Sequence, residues 1–223
     1  SAFKLTLRHL DVLQLLFYAS AASAAALLVI LAVQGKLGLL RAFTVSDWVR
    51  SALLGALNPF LYYLVLFKAY DLLPAQQAQP LNYTWPITLV ILSIPLLGQR
   101  IRLRSIAAVL VSFAGVLVIS TRGDLRGLEV ESATGILLAI GSSVIWALYW
   151  ILNLRDRRDD VVKLLAGFLF GFIFTAVAAL AVGGLPRPSM AGLLGALYVG
   201  LFEMGITFVL WLHALKLSRT TAQ

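Results

Sequence analysis

"QPLNYTWPITLVILSIPLLGQR", residues 79–100, holds no charge before Arg100, yet it carries three prolines, Pro80, Pro86 and Pro95. A proline inside a helix removes one backbone hydrogen bond and crowds the preceding turn. The run Asn82-Tyr83-Thr84-Trp85 places an amide and two amphipathic rings among the prolines. Irregular backbone at membrane depth survives only where protein buries it or where it lines a water-filled cavity. The stretch therefore predicts a repeatedly kinked, cavity-lining membrane helix.

The rest of the chain supports a membrane setting. Of its 223 residues, 61% are hydrophobic and 13% charged, and the mean hydropathy is +0.92. Soluble domains carry charge on about a quarter of their residues. Neutral runs cover 12–35, 51–67, 72–99, 105–121, 132–154, 164–186 and 188–202. A helix needs about 20 apolar residues to cross a bilayer core. The runs predict an all-α integral membrane protein crossing many times, with residues 1–8 as the outer end of one helix and 219–223 as the start of another. Short alternating segments of the barrel kind are absent. The chain has no cysteine, so a disulfide framework and a thiol site are both excluded.

Numbering the spans from residues 1–8 as the first, the basic residues divide by face. Lys36, Arg41, Arg50, Arg100, Arg102, Arg104, Arg155, Arg157, Arg158, Lys163, Lys216 and Arg219 follow even-numbered spans. Lys4, Arg8, Lys68, Arg122, Arg126 and Arg187 lie on the other face. Lysine and arginine are enriched in cytoplasmic loops, so the first set is expected inside. The net charge of +8 then reflects orientation and not nucleic-acid binding.

Residues 55–72, "GALNPFLYYLVLFKAYDL", align without a gap to residues 200–217, "GLFEMGITFVLWLHALKL", at an offset of 145. Asn58 meets Glu203, Gly55 meets Gly200 and Ala69 meets Ala214. Residues 3–8, "FKLTLR", likewise resemble residues 150–155, "WILNLR". These matches equate the first span with the sixth and the third with the eighth. A five-span repeat reverses orientation, so residues 1–122 and 132–223 are expected to be two inverted repeats. That arrangement is common in transporters, with the site near the midplane.

The Asn-Tyr-x-Trp-Pro run, the Gly98-Gln99-Arg100 turn, and a short basic span ending Ala114-Gly115-Val116-Leu117-Val118 resemble the drug/metabolite transporter superfamily of the EamA type. So do residues 145–155, "IWALYWILNLR", and 201–216, "LFEMGITFVLWLHALK". Within it the chain is most similar to the aromatic-amino-acid exporter branch. The resemblance implies ten helices in two inverted five-helix repeats, cytoplasmic termini, and a central cavity open to one side at a time. Against that pattern the sequence offers about eight helices plus end fragments, without most of the ninth or any of the tenth.

Seven residues are candidates for substrate binding: Asn58, Tyr62, Asn82, Tyr83, Trp85, Trp146 and Glu203. Asn82 is expected about one turn from the outer end of its span. Tyr83 serves equally as an interfacial belt residue; Trp85 lies deeper. Glu203 is the one carboxylate inside a span, and intramembrane ionisable groups mark function by default. Burial there raises a carboxyl pKa, suiting proton coupling, contact with a substrate ammonium, or a protonated hydrogen bond to a neighbouring helix. Tyr62 follows Asn58 by four residues, which places both on one helix face. Trp146 precedes Tyr149 and Trp150 in an aromatic stripe that either binds or packs. His213 and Lys68 read as surface anchors. Gly167, Gly171, Gly192, Ala196 and Gly200 read as faces for close helix contact.

These readings favour a secondary transporter of the inner membrane that exports aromatic or other apolar amino acids, or similar metabolites. A multidrug or other metabolite permease and a non-transporting sensor or scaffold are the alternatives. No phosphate-binding loop is present for an ATP-driven pump. One interior carboxylate and two distant histidines make no enzyme constellation. The expected partners are a small-molecule substrate and the lipid bilayer, with no nucleic acid, metal or cofactor, in a monomer or alternatively a dimer.

Overall fold

The computed structural model describes residues 2–121, 132–185 and 187–218, and among these there is no strand. The helices are α1 (Ala2–Thr6), α2 (Val12–Val33), α3 (Val45–Leu72), α4 (Ala75–Asn82 continued by Trp85–Leu97) and α5 (Leu103–Thr121). They are followed by α6 (Ala133–Arg155), α7 (Asp160–Ala181) and α8 (Met190–Leu217). Six of them, α2, α3, α4, α6, α7 and α8, are long and apolar enough to cross a membrane. This is the all-α membrane protein that the neutral runs predict. Residues 122–131, expected to form an external loop, and 219–223, expected to begin a ninth helix, lie outside the described residues.

Local chemistry fixes the helix ends. Asp11 accepts the Gln14 N–H at 2.8 Å while the Gln14 side chain accepts the Asp11 N–H at 3.0 Å, a reciprocal cap that starts α2. Thr44 and Asp47 repeat the device at α3. Gly98 ends α4 in the left-handed region at φ 66°, which glycine adopts without steric cost.

Two compact units form. One holds the described residues of Ser1–Leu61 and Asp156–Ala214; the other holds those of Tyr62–Arg155 and Leu215–Gln223. In the first unit α7 packs on α2 and on the opening part of α3, and α8 packs on α2. Small residues permit the approach. A Cβ at Gly55 would strike the Gly167 carbonyl, and one at Gly171 would strike the Pro59 ring. Gly200 lies against Ala19, Gly195 against Thr6 and Gly192 against Leu10. In lipid, where apolar surface alone does not draw helices together, such contact drives packing. The glycine faces read from the sequence therefore hold. In the second unit α6 packs against α3 and both parts of α4, while α5 packs on α4. Ala69, Leu73, Ala78 and Ala139 form a small buried core there.

Three helices carry backbone irregularities. In α4 the helix is interrupted at Tyr83 and Thr84, and Pro80 and Pro95 lie inside its two helical parts. Pro86 falls in the first turn after the break, where a missing N–H leaves no bond unmade. In α3 the break is at Asn58, whose backbone is extended (φ −152°, ψ 127°), just before Pro59. The four-residue spacing therefore does not carry one helix face from Asn58 to Tyr62. In α8 the residues Val199–Ile206 form a wide π-helical stretch. At the offset of 145, the irregular segment Ala56–Leu61 of α3 falls within this stretch.

Candidate functional site

Five of the seven candidates lie in the second unit, and four of these converge. The Asn82 amide donates to the Tyr62 hydroxyl at 3.3 Å and to the Ser142 hydroxyl at 3.4 Å. Asn82 is buried and sits two turns into α4, deeper than the single turn expected. Just beyond the break that follows it, Trp85 lies near Trp146, with ring centroids 6.3 Å apart. Trp146 also lies against Tyr62 at 4.5 Å and edge-on to Trp150 at 5.7 Å. Trp150 and Tyr149 are fully buried, so their part of the stripe packs. Trp85 and Trp146 keep partial exposure. Tyr83, at the break, is 46% exposed, unlike the buried Asn82 beside it.

Three hydroxyl residues were missed. Ser142 accepts from Asn82, and Ser143 shares a hydrogen bond with Thr88 at 3.0 Å. Their signal was present: Ser142 and Ser143 form a polar pair inside a neutral run. The cluster thus offers neutral donors, neutral acceptors and ring faces. Such a surface suits an apolar or aromatic solute with a polar handle. Among the described residues no group of three or more histidines, cysteines or carboxylates gathers to hold a metal.

Asn58 and Glu203 belong to the first unit. Asn58 is 1% exposed, and neither its amide nitrogen nor its amide oxygen has a hydrogen-bond partner among the described residues. Leaving a buried polar group unpaired costs about 1–3 kcal/mol. Glu203 lies on the π-helical stretch of α8. It is half-buried among the described residues. Ser23 of α2 shares its hydroxyl between the Ala19 carbonyl at 2.8 Å and the Gly200 carbonyl at 2.7 Å, binding α2 to the irregular part of α8.

An ionic knot in the first unit was not anticipated. The Asp156 side chain is 0% exposed and receives Arg158 Nη2 at 2.6 Å and Nε at 3.0 Å. Arg158 Nη1 continues to the Asp47 carbonyl and the Ser51 hydroxyl, each at 2.9 Å, and its guanidinium lies 4.9 Å over the Phe43 ring. Lys163, counted from sequence as a loop cation, is buried; it donates to the Asp156 carbonyl at 3.0 Å and pairs with Asp160 at 2.9 Å. Burial pushes the Asp156 carboxyl up, but the hydrogen bonds and charge of Arg158, with the charge of Lys163, outweigh it and hold it below its ordinary value. Asp159 is shifted down in the same way: burial raises it, and Lys36 and the α7 amides overcome that. The knot fastens the start of α3 to the α6–α7 link.

Comparison with known proteins places this geometry in context. Residues 1–121 and 133–222 match the EamA-like transporter family. The chain is 30% identical over 157 residues to the aromatic amino acid exporter YddG of Ancylobacter novellus, covering 68% of this chain and 53% of that one. It is 28% identical over 162 residues to an uncharacterized transporter of Acidianus ambivalens, covering 70% and 60%. To an uncharacterized transporter of Archaeoglobus fulgidus it is 26% identical over 182 residues, covering 79% and 62%. The matched region thus spans 53–62% of the length of these relatives. One solved crystal structure shares the fold with a TM-score of 0.79 at 24% identity, over 99% of this chain and 75% of that one.

Proposed function

The chain belongs to the EamA-like transporter family, and from that premise we propose that it is a secondary transporter, not an enzyme. It exports aromatic or other apolar amino acids, or similar small metabolites, across the inner membrane by alternating access. The observation that carries the substrate class is the neutral cluster of Tyr62, Asn82, Ser142, Trp85 and Trp146. Ring faces take the apolar part of the solute, and the Asn82 amide and Tyr62 hydroxyl take its polar part. In the first unit, Asn58 has an amide whose hydrogen bonds are open and Glu203 a carboxylate that suits an ammonium or a proton, and each is proposed as a candidate by itself. Tyr83 stays in the proposal as an entrance residue because it is exposed beside the cluster's helix. The name of the Ancylobacter novellus relative supports the same substrate class.

The test is uptake and exchange of the common amino acids by proteoliposomes. Saturable flux of phenylalanine, tyrosine or tryptophan supports the proposal. Flux of unrelated cationic drugs in their place favours a multidrug permease. Binding without flux identifies a sensor.

A further inference from the structure

The basic residues expected on the inner face are not matched evenly by carboxylates. In the first unit, four inner cations have carboxylates beside them. Lys36 pairs with Asp159 at 2.7 Å, Arg158 with Asp156 at 2.6 Å and Lys163 with Asp160 at 2.9 Å. Arg50 approaches Asp156 at 4.0 Å. In the second unit the pattern is opposite. Arg100, Arg102 and Arg104 occupy alternate positions across the α4–α5 link, and all three are exposed. None has an ion-pair partner among the described residues. The one carboxylate of that unit among the described residues, Asp71, lies 4.0 Å from Lys68.

Asp71 is also at the wrong end. A Cβ at Gly135 would meet Leu72 and Leu73, so α4 and α6 both begin at that end of the unit and run away from it. Gly98 and Arg155 close them at the other end. Arg155 is exposed there and adds a fourth cation. The link between Leu97 and Leu103 is short, and apolar helices flank it on both sides. The arginines are therefore held at the bilayer surface and cannot extend away from it.

We propose that this arginine end of the second unit binds the headgroups of anionic phospholipids. Guanidinium matches phosphate in planar, two-pronged hydrogen bonds. A basic segment next to a membrane span is drawn to anionic lipid within a Debye length of the surface. The first unit competes less for such lipids, because carboxylates lie beside four of its cations and, of its cations expected on that face, only Arg41 and Arg157 lack one among the described residues. The inference rests on the membrane fold and not on what the protein transports.

The experiment counts lipids retained by the whole chain, by native mass spectrometry, after equilibration with equal amounts of phosphatidylglycerol and phosphatidylcholine. The wild-type protein is expected to retain phosphatidylglycerol preferentially, and the preference to fall with added salt. Each arginine removed should weaken it by about fivefold at low salt. Arg100→Gln, Arg102→Gln and Arg104→Gln combined should remove most of it. The same three positions changed to lysine should keep most of it, and Lys36→Gln should leave it unchanged. Equal retention of both lipids by the wild type overturns the proposal, as does an undiminished preference in the triple glutamine protein. Displacement by inorganic phosphate at matched ionic strength identifies a free-anion site and also overturns it. If the glutamine protein does not fold, the wild-type preference decides: loss with salt supports the proposal and persistence in high salt refutes it.

Discussion

Replacing Arg158 with methionine removes the hub of the ionic knot while keeping much of the apolar stem that lies over Phe43. The Asp156 carboxylate, 0% exposed, would lose the Nη2 contact at 2.6 Å and both Nε contacts at 3.0 Å. The Asp47 carbonyl and the Ser51 hydroxyl would each lose a donor at 2.9 Å. The cations left near the carboxylate are Arg50, at 4.0 Å, and Lys163, whose charge also acts on it. Breaking a buried ion pair from one side costs about 3–5 kcal/mol, mostly the penalty of the charge left behind. One kcal/mol moves the melting temperature of a domain this size by about 2–4 °C. Thermal unfolding in detergent should therefore fall by roughly 10 °C for Arg158→Met. Adding Asp156→Leu to that protein should recover most of the loss, because the orphaned charge goes with it. Lys36→Met serves as the contrast: its partner is Asp159 and the two side chains are 43% and 21% exposed. Exposed pairs contribute about 0–1 kcal/mol, so the shift there should stay within about 4 °C. An Arg158→Met protein that melts within about 2 °C of the wild type, or a double variant no better than the single, refutes this reasoning.

The knot also sets a pH dependence. Asp156 and Asp159 are held below their ordinary pKa, so their stabilisation is complete above the unfolded carboxylate value and lost as pH falls through the folded one. Melting followed by circular dichroism should be level from pH 7 down to about 5 and decline below about 4; a decline beginning above pH 6 contradicts the assignment. Glu203→Gln separates three roles: loss of dependence on a pH gradient with exchange retained marks proton coupling, and weaker binding at every pH marks contact with substrate. Unchanged flux, affinity and pH profile remove Glu203 from the site. Orientation is read by labelling single cysteines with an impermeant reagent: Arg157→Cys should react from the cytoplasmic side and Asp71→Cys from outside. The reverse pattern overturns the charge reading.

The helices were legible because a bilayer imposes long neutral runs, and each of the seven runs became a helix. The resemblance carried by Asn82-Tyr83-x-Trp85-Pro86 also led to the right family. Position within a helix was less readable. Counting four residues from Asn58 to Tyr62 presumes unbroken helix, and Asn58 is extended. Counting three prolines as three kinks ignores that Pro86 sits in a first turn, where it costs nothing. The knot was hidden for a different reason. Residues 155–160, "RDRRDD", look like an ordinary solvated loop. Asp156 among them is buried, and Arg158 reaches Asp47 and Ser51, more than a hundred residues earlier. No local pattern records that contact. Asn82 was singled out for its chemistry, but its partners Tyr62 and Ser142 come from two other helices, and tertiary packing alone joins them.

The central claim is that a transported solute meets the aromatic–amide cluster of the second unit, and Trp85 tests it most directly. Its ring touches Trp146 and keeps partial exposure, so it is less committed to packing than the buried Trp150. The measurement is amino-acid exchange per folded molecule in proteoliposomes for Trp85→Ala against wild type, with folded yield taken from detergent extracts. Loss of a ring contact of about 1–1.5 kcal/mol predicts exchange per folded molecule reduced by about tenfold, with yield little changed. Exchange that falls only in proportion to yield makes the ring a packing residue and contradicts the account.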